Sequence, residues 1–445
     1  MSVCPLEFRY GRDKMKRIFQ EETRLQYILD VEAALAEAHA RVGNILHEHA
    51  ELIKKSANTK IVTLSRVNEL DKQINHEITA IVRTLAEQSG EGGKYVHLGA
   101  TSNDILDTAT ALQIRDALRI IVEDLLALRS VLAELADKHR KTIMVGRTHG
   151  QFALPITFGL KMAIYSLEIN RHIERVHQLM PRICVGKMSG AVGTGAGFGP
   201  KALEIQKFVM DKLELGIEEG ASQIVARDRY IELMAVICNI ATSIEKIATE
   251  IRNLQRSEIN EVSEAFDSKK QVGSSTMAHK RNPVMAENIC SLARVIRGFM
   301  TPTFECAILW HERDLTNSAA ERFTIPHSFV LLDDILEKCE RLLRTLVVNK
   351  EQMRKNLEMA GAQIMAESVI MKLVEKGMGR QDAHELLRRC TMTCAETGKD
   401  FKCALKEQEE ISKLLCDEEI EKCLDPESYL GVTDKIIDNI LAKYR

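Results

Sequence analysis

Proline and glycine are scarce over most of this chain, and that scarcity limits what it can fold into more than any other feature. Of 445 residues only 8 are proline, and the stretches 100–145, 221–272 and 327–360 contain neither breaker. In the first, Leu118, Ile121, Leu125, Leu128, Leu132 and Leu135 recur at spacings of three and four, which puts them on one stripe of an α-helix. Ile231, Met234, Ile237, Ile244, Ile247 and Ile251 trace such a face in the second stretch, and Val330, Leu331, Ile335, Leu342 and Leu346 in the third. A helix over most of the second stretch is about 50 Å long, more than an ordinary single core spans. Such helices need one another, and copies from other chains, to bury their stripes. Aromatic residues make up 4% of the chain and strand signals are faint. The expectation is an all-α helical bundle that oligomerises.

Breakers gather instead at GGKYVHLG (92–99), GRTHGQFALP (146–155), VGKMSGAVGTGAGFGP (185–200), and around Pro302, Pro326 and Gly361. They mark a central long-helix domain over 103–360, with smaller helical domains at 1–102 and 361–445. A formal charge of −3, with basic residues dispersed, argues against nucleic acid and anionic membrane as partners and for a small molecule. The 11 cysteines are scattered and fit reduced packing residues. Cys390 and Cys394 can share a helix face near His384, but ordinary zinc spacing is missing, so no metal is expected. The N-terminus has no apolar core before a cleavage site, and no apolar run approaches membrane-spanning length. A soluble cytoplasmic protein is expected.

Several connections carry chemistry that packing does not require. His149, before Gly150 at a break between helical patterns, can face a cleft and exchange a proton near neutral pH, or simply satisfy a backbone carbonyl. Thr101, Ser102, Asn103 and Asp104 precede an apolar helical run as an N-cap, and the free amides there can also hold a carboxylate. His76 beside Glu77 reads first as a structural histidine. GAVGTGAGFGP tempts a phosphate-loop reading, but no strand precedes it and no Gly-Lys-Ser/Thr follows, which leaves a connector. In WHERDLTNSAAER, Arg313, Ser318 and Arg322 offer forked donors and a hydroxyl suited to phosphate or carboxylate, with a charged helix start capped by Thr316 or Asn317 as the alternative. Richest is VGSSTMAHKRNP (272–283), where glycine, hydroxyls, a fixed cation and an amide share one connection able to close over a ligand.

GSSTMAHKRNP resembles the signature of the fumarase/aspartase superfamily, Gly-Ser-Ser-x-Met-x-x-Lys-x-Asn. TSNDILDT is similar to that superfamily's first shared region and GRTHGQ to its second, in family order. Within it, RDLTNSAAER, the pair Arg9-Tyr10 and the triplet Asn75-His76-Glu77 resemble the adenylosuccinate lyase family. The resemblance runs from Arg9 to about Arg322. Ala278 stands where the family commonly has proline, and Glu77 where it has aspartate.

The resemblance implies three mostly helical domains, a homotetramer around a central bundle, and active sites shared between subunits. It implies a cofactor-free β-elimination on a succinylated nucleotide in purine synthesis. On that basis Ser274 is the base, His149 protonates the departing nitrogen, Lys280 and Asn282 stabilise the charge that develops, and His76 supports the site. Thr101, Ser102, Gln223 and Ser275 would hold the succinyl carboxylates and nearby groups. Arg9, Tyr10, Arg313, Ser318 and Arg322 would hold the nucleotide end, with Asn75, Glu77, Thr148 and Asn288 also in the pocket. Two alternatives remain: 3-carboxymuconate cycloisomerase, whose substrate carries no phosphate, and a non-catalytic structural protein on the same scaffold. Arg313 and Arg322 weigh against the first, and intact His149, Ser274 and Lys280 against the second.

Overall fold

Helices carry almost all of the regular structure in residues 3–266, 276–277 and 279–444, which the structure, a computed structural model, describes. The first part of the chain supplies α1 (Glu21–Arg41), α2 (Leu64–Ile74), α3 (Glu77–Gln88) and the long α4 (Ser102–Lys138). A hairpin of β1 (Ile143–Thr148) and β2 (Gln151–Thr157) follows, then α5 (Phe158–Ile183), β3 (Val185–Gly186), α6 (Ala202–Leu213), β4 (Gly216–Ile217) and α7 (Asp228–Leu254). After β5 (Val262–Ser263) come α8 (Val284–Gly298), α9 (Ser318–Arg344), β6 (Val347–Val348), α10 (Lys350–Ala360), α11 (Ala366–Glu375) and α12 (Arg380–Thr397). Strands β1 and β2 pair antiparallel, β3 and β4 parallel, and β5 and β6 antiparallel. Among the described residues no helix is long and apolar enough to cross a membrane.

The apolar stripes lie where their periodicity placed them. Leu118, Ile121, Leu125, Leu128 and Leu132 are buried, as are Met234, Ile237, Ile244, Ile247 and Ile251. Helix lengths differ from those expected. Among the described residues, the second breaker-free stretch is helical over Asp228–Leu254, 27 residues, or about 40 Å. The third is interrupted by β6, while its helix begins earlier and runs through Pro326. There a backbone hydrogen bond is forgone, and the helix continues because Ile325, Phe329, Val330 and Leu332 are all buried. The first stretch stops being helical at Lys138 and becomes β1 without any breaker. Its β-branched Ile143, Val145 and Thr148 favour the pleated conformation.

Contacts divide the chain into two compact units. One comprises Met1–Leu126, Asn170–Glu245 and Asn288–Lys338, the other Ala127–Ile169, Lys246–Glu287 and Cys339–Arg445. In the first, the glycine-rich connector packs backbone against backbone. A Cβ on Gly99 would lie 2.6 Å from the Gly197 carbonyl oxygen, and one on Gly193, where φ is +85°, 1.8 Å from that of Ala221. A two-residue strand, β3, does precede the run, contrary to expectation, and close backbone approach is what its glycines permit. In the second unit, Ile143 and Val145 of β1 pack with Leu357 of α10. The C-terminal helices close a separate apolar cluster that includes Val369, Leu373, Leu387, Phe401, Leu405 and Ile411.

Candidate functional site

The first unit contains a cavity of about 370 Å³ lined in part by Arg24, Glu77, Arg227, Arg313, Ser318 and Arg322. Four guanidinium groups thus meet in a space of ligand size, although Glu21, Asp71, Asp107 and Glu321 line it too. Most of that charge is already matched. Arg227 is buried and donates a fork to Asp107 at 2.8 and 3.0 Å, and to Glu321 at 2.8 and 3.1 Å. Burial works to lower its pKa, yet Asp107 and the charges around it hold it well above the ordinary arginine range. Glu77 accepts hydrogen bonds from Arg24 and, at 2.8 Å, from Arg322 Nη2. Burial would raise its carboxyl pKa, but the two arginines outweigh this and hold it below the usual range.

Arg313 is in a different position. It donates Nη1 to the Gln223 amide oxygen at 3.1 Å, its buried Nε finds no partner among the described residues, and burial pushes its pKa down. A desolvated cation held by a neutral amide favours an incoming anion. Asn317 also lines the cavity and is buried, with neither its Oδ1 nor its Nδ2 hydrogen-bonded among the described residues. Its side chain is therefore no helix cap. The turn before α9 is held instead by Asp314, which accepts from the Trp310 and Thr316 amides at 2.9 and 2.8 Å.

Other expected residues of this unit lie outside the cavity lining. Asn75, in left-handed conformation with φ +53°, ends α2, and His76 caps α3 by accepting the Thr79 amide on Nδ1 at 3.2 Å. That bond keeps the ring proton of neutral His76 on Nε2. Tyr10 and Asn288 meet at Lys338, whose Nζ lies 5.0 Å from the Tyr10 ring centroid and donates to Asn288 Oδ1 at 2.7 Å. Arg9 is exposed. Thr101, next to Ser102 at the start of α4, is held by Asp104, which accepts the Thr101 amide at 2.8 Å and the Lys187 ammonium at 2.6 Å. From sequence alone Asp104 reads as part of a helix cap, and Lys187 is not distinguished as its partner. The only signal was a lysine placed among glycines.

The second unit carries the proposed acid. Thr148 pairs with Gln151, so His149 and Gly150 form a two-residue hairpin turn, both at positive φ, +54° and +75°. These are the signs of a type I′ turn, which matches strand twist. His149 is exposed at its tip, an ordered β-turn and not the helix break expected. Two residues earlier, Arg147 donates Nη1 and Nη2 to the fully buried Glu261 carboxylate at 3.0 and 2.8 Å. Lys280 is exposed and Asn282 half-buried on the arm leading into α8. That helix is capped by Glu264, which accepts the Met285 and Ala286 amides at 3.2 and 2.8 Å. Ser274, Ser275 and Ala278 lie outside the described residues.

Comparison with known proteins places this geometry. A family described as Lyase matches residues 7–298 and one described as Adenylosuccinate lyase C-terminus matches residues 362–440. Adenylosuccinate lyase from Pyrococcus abyssi is 51% identical over 441 residues, covering 99% of this chain and 98% of its own. That from Methanothermobacter thermautotrophicus is 46% identical, with the same two coverages. Among solved structures, a fumarate lyase from Mesorhizobium sp. BNC1 is similar with a TM-score of 0.88 at 33% identity, over 97% of this chain and 98% of that one. A 3-carboxy-cis,cis-muconate lactonizing enzyme from Pseudomonas putida has the same TM-score at 31% identity, over 100% and 99% of the two chains. On the full-length identity and the matches to both families, the chain belongs to the adenylosuccinate lyase family of the fumarase/aspartase superfamily.

Proposed function

We propose that this chain catalyses the cofactor-free β-elimination of fumarate from adenylosuccinate, leaving AMP. The same site would release fumarate from succinylaminoimidazole carboxamide ribotide. The observation that carries this reading is the cavity in which Arg313, Ser318 and Arg322 converge with Glu77, within a chain of this family. Forked donors, among them the partly desolvated Arg313, suit a phosphate monoester. The lactonizing enzymes share the fold, but a substrate without phosphate gives that cradle nothing to hold.

In the proposed chemistry Ser274, ionised or activated by neighbouring cations, takes the proton from the succinyl carbon next to a carboxylate. The electron pair left behind delocalises onto that carboxylate, and Lys280 and Asn282 stabilise the charge. It then forms the new carbon–carbon double bond as the carbon–nitrogen bond breaks, and His149 protonates the departing nitrogen. Thr101, Ser102, Gln223 and Ser275 hold the carboxylates, while Arg9, Tyr10, Arg313, Ser318 and Arg322 hold the nucleotide end. Asn75, Glu77, Thr148 and Asn288 complete the pocket, and His76 supports it. Three helical domains, 1–102, 103–360 and 361–445, assemble in this reading as a cytoplasmic homotetramer with shared active sites.

The test is direct: purified protein is mixed with adenylosuccinate and fumarate and AMP are followed. No release, with turnover of a carboxymuconate instead, would transfer the assignment to the lactonizing enzymes.

A further inference from the structure

Glu261 is fully buried and yet carries more structural partners than the proposed chemistry uses. Its carboxylate takes the Arg147 fork at 2.8 and 3.0 Å and the Asn356 amide of α10 at 2.8 Å. The same Asn356 nitrogen reaches the Ile259 carbonyl at 2.8 Å. Through its backbone, Glu261 donates to the Leu254 carbonyl and accepts from the Asn349 amide, both at 2.9 Å. The residue thus ties α7, α10 and the start of β5 to β1, the strand that leads into the His149 turn. Three residues on, Glu264 caps α8 just beyond Asn282.

Near the hairpin's tip the Arg147 guanidinium also lies over the Phe152 ring, its Cζ 5.7 Å from the centroid. Apolar packing holds the hairpin's base, where Ile143 and Val145 meet Leu357, but the pairing slips between Val145 and Arg147. Beyond that irregularity Thr148, His149, Gly150 and Gln151 are all exposed. A two-residue turn on an irregular ladder is left free to tilt unless something holds the last inward side chain. Arg147 is that side chain, and a planar fork against a buried carboxylate fixes direction as well as distance.

We propose that Glu261 is a positioning residue for the proton-donating step: with Arg147 and Asn356 it sets the direction in which the hairpin presents His149. The consequence for catalysis rests on the role given to His149 above; the effect on the hairpin does not. Removing the network should tilt the tip by a fraction of its length without touching the nucleotide cradle of the other unit.

The test compares Glu261→Gln and Arg147→Lys with the parent enzyme and with His149→Ala. Glu261→Gln keeps the volume and removes the charge, whereas Arg147→Lys keeps the charge and removes the fork. Amide exchange over 143–157 should quicken about tenfold in both variants, and kcat should fall about tenfold to a hundredfold. KM and the affinity for AMP should stay within about twofold, a split that general unfolding would not give. Guanidinium added to Arg147→Ala should restore part of kcat. Exchange and kcat both at parental levels in Glu261→Gln and Arg147→Lys would overturn the proposal, as would a loss of AMP affinity equal to the loss of kcat. Should His149→Ala keep full turnover, the reading of His149 fails, while the exchange measurement still decides whether the network holds the hairpin.

Discussion

Lys187 Nζ lies 2.6 Å from Asp104 Oδ1, and both side chains have no solvent exposure. Asp104 also accepts the Ser189 amide at 2.9 Å, the Gly190 amide at 3.1 Å and the Thr101 amide at 2.8 Å. One carboxylate therefore binds the start of α4, where Thr101 and Ser102 sit, to the glycine-rich connector. Lys187→Met leaves that carboxylate buried without its counter-ion and should cost about 3–5 kcal/mol. Denaturant unfolding followed by circular dichroism measures it, and a loss below about 1 kcal/mol would mean the amides alone suffice.

His149→Ala and Ser274→Ala should each abolish detectable turnover, by at least about a hundredfold for the imidazole. Oligomer size by light scattering and the unfolding temperature should stay at parental values in His149→Ala, because His149 is exposed on its turn within the chain. Activity retained by either variant would mean that the acid or the base has been misplaced.

Arg313 and Arg322 make a separable claim about the nucleotide end. Arg313→Leu should weaken AMP by about 1.5–3 kcal/mol, the range for a hydrogen bond to a charged group. Adenosine, which lacks the phosphate, should bind both proteins alike. Calorimetric titration of the two ligands distinguishes a phosphate contact from general damage, since damage would weaken both.

His97 and Glu77 should leave opposite marks on stability against pH. His97 donates Nδ1–H to the buried Glu32 carboxylate at 2.6 Å. Burial works to lower its pKa, but Glu32, with Asp104 nearby, raises it above the ordinary 6.5. Its stabilisation is therefore complete below pH 6.5 and fades as pH rises through the raised value. Glu77, held down by Arg24 and Arg322, contributes fully above its ordinary 4.5 and loses that contribution as pH falls through the lowered value. Glu32→Gln should flatten the alkaline side and Glu77→Gln the acid side of a plot of unfolding free energy against pH. If Glu32→Gln leaves the alkaline side as steep, His97 is not its cause.

Periodicity and motif spacing determined a good deal of this protein before any coordinates. The stripes through Leu118–Leu132 and Met234–Ile251 specified buried helix faces, because a 3.6-residue period is a property of neighbours along the chain. Motifs at fixed spacing identified the family for the same reason: each is contained within about a dozen residues. The cavity-lining residues Arg313, Ser318 and Arg322 were legible as a cluster because one helix start holds them. The hairpin at His149 was not. Its turn depends on positive φ at His149 and Gly150, and no apolar period announces a two-residue connection. Nor could Arg147–Glu261, 114 residues apart, or Lys187–Asp104, 83 apart, be read from pattern. A buried charge becomes tolerable only when folding delivers its partner. Which distant residue that is was decided by the packing of the helices, and sequence alone carried no local trace of the choice.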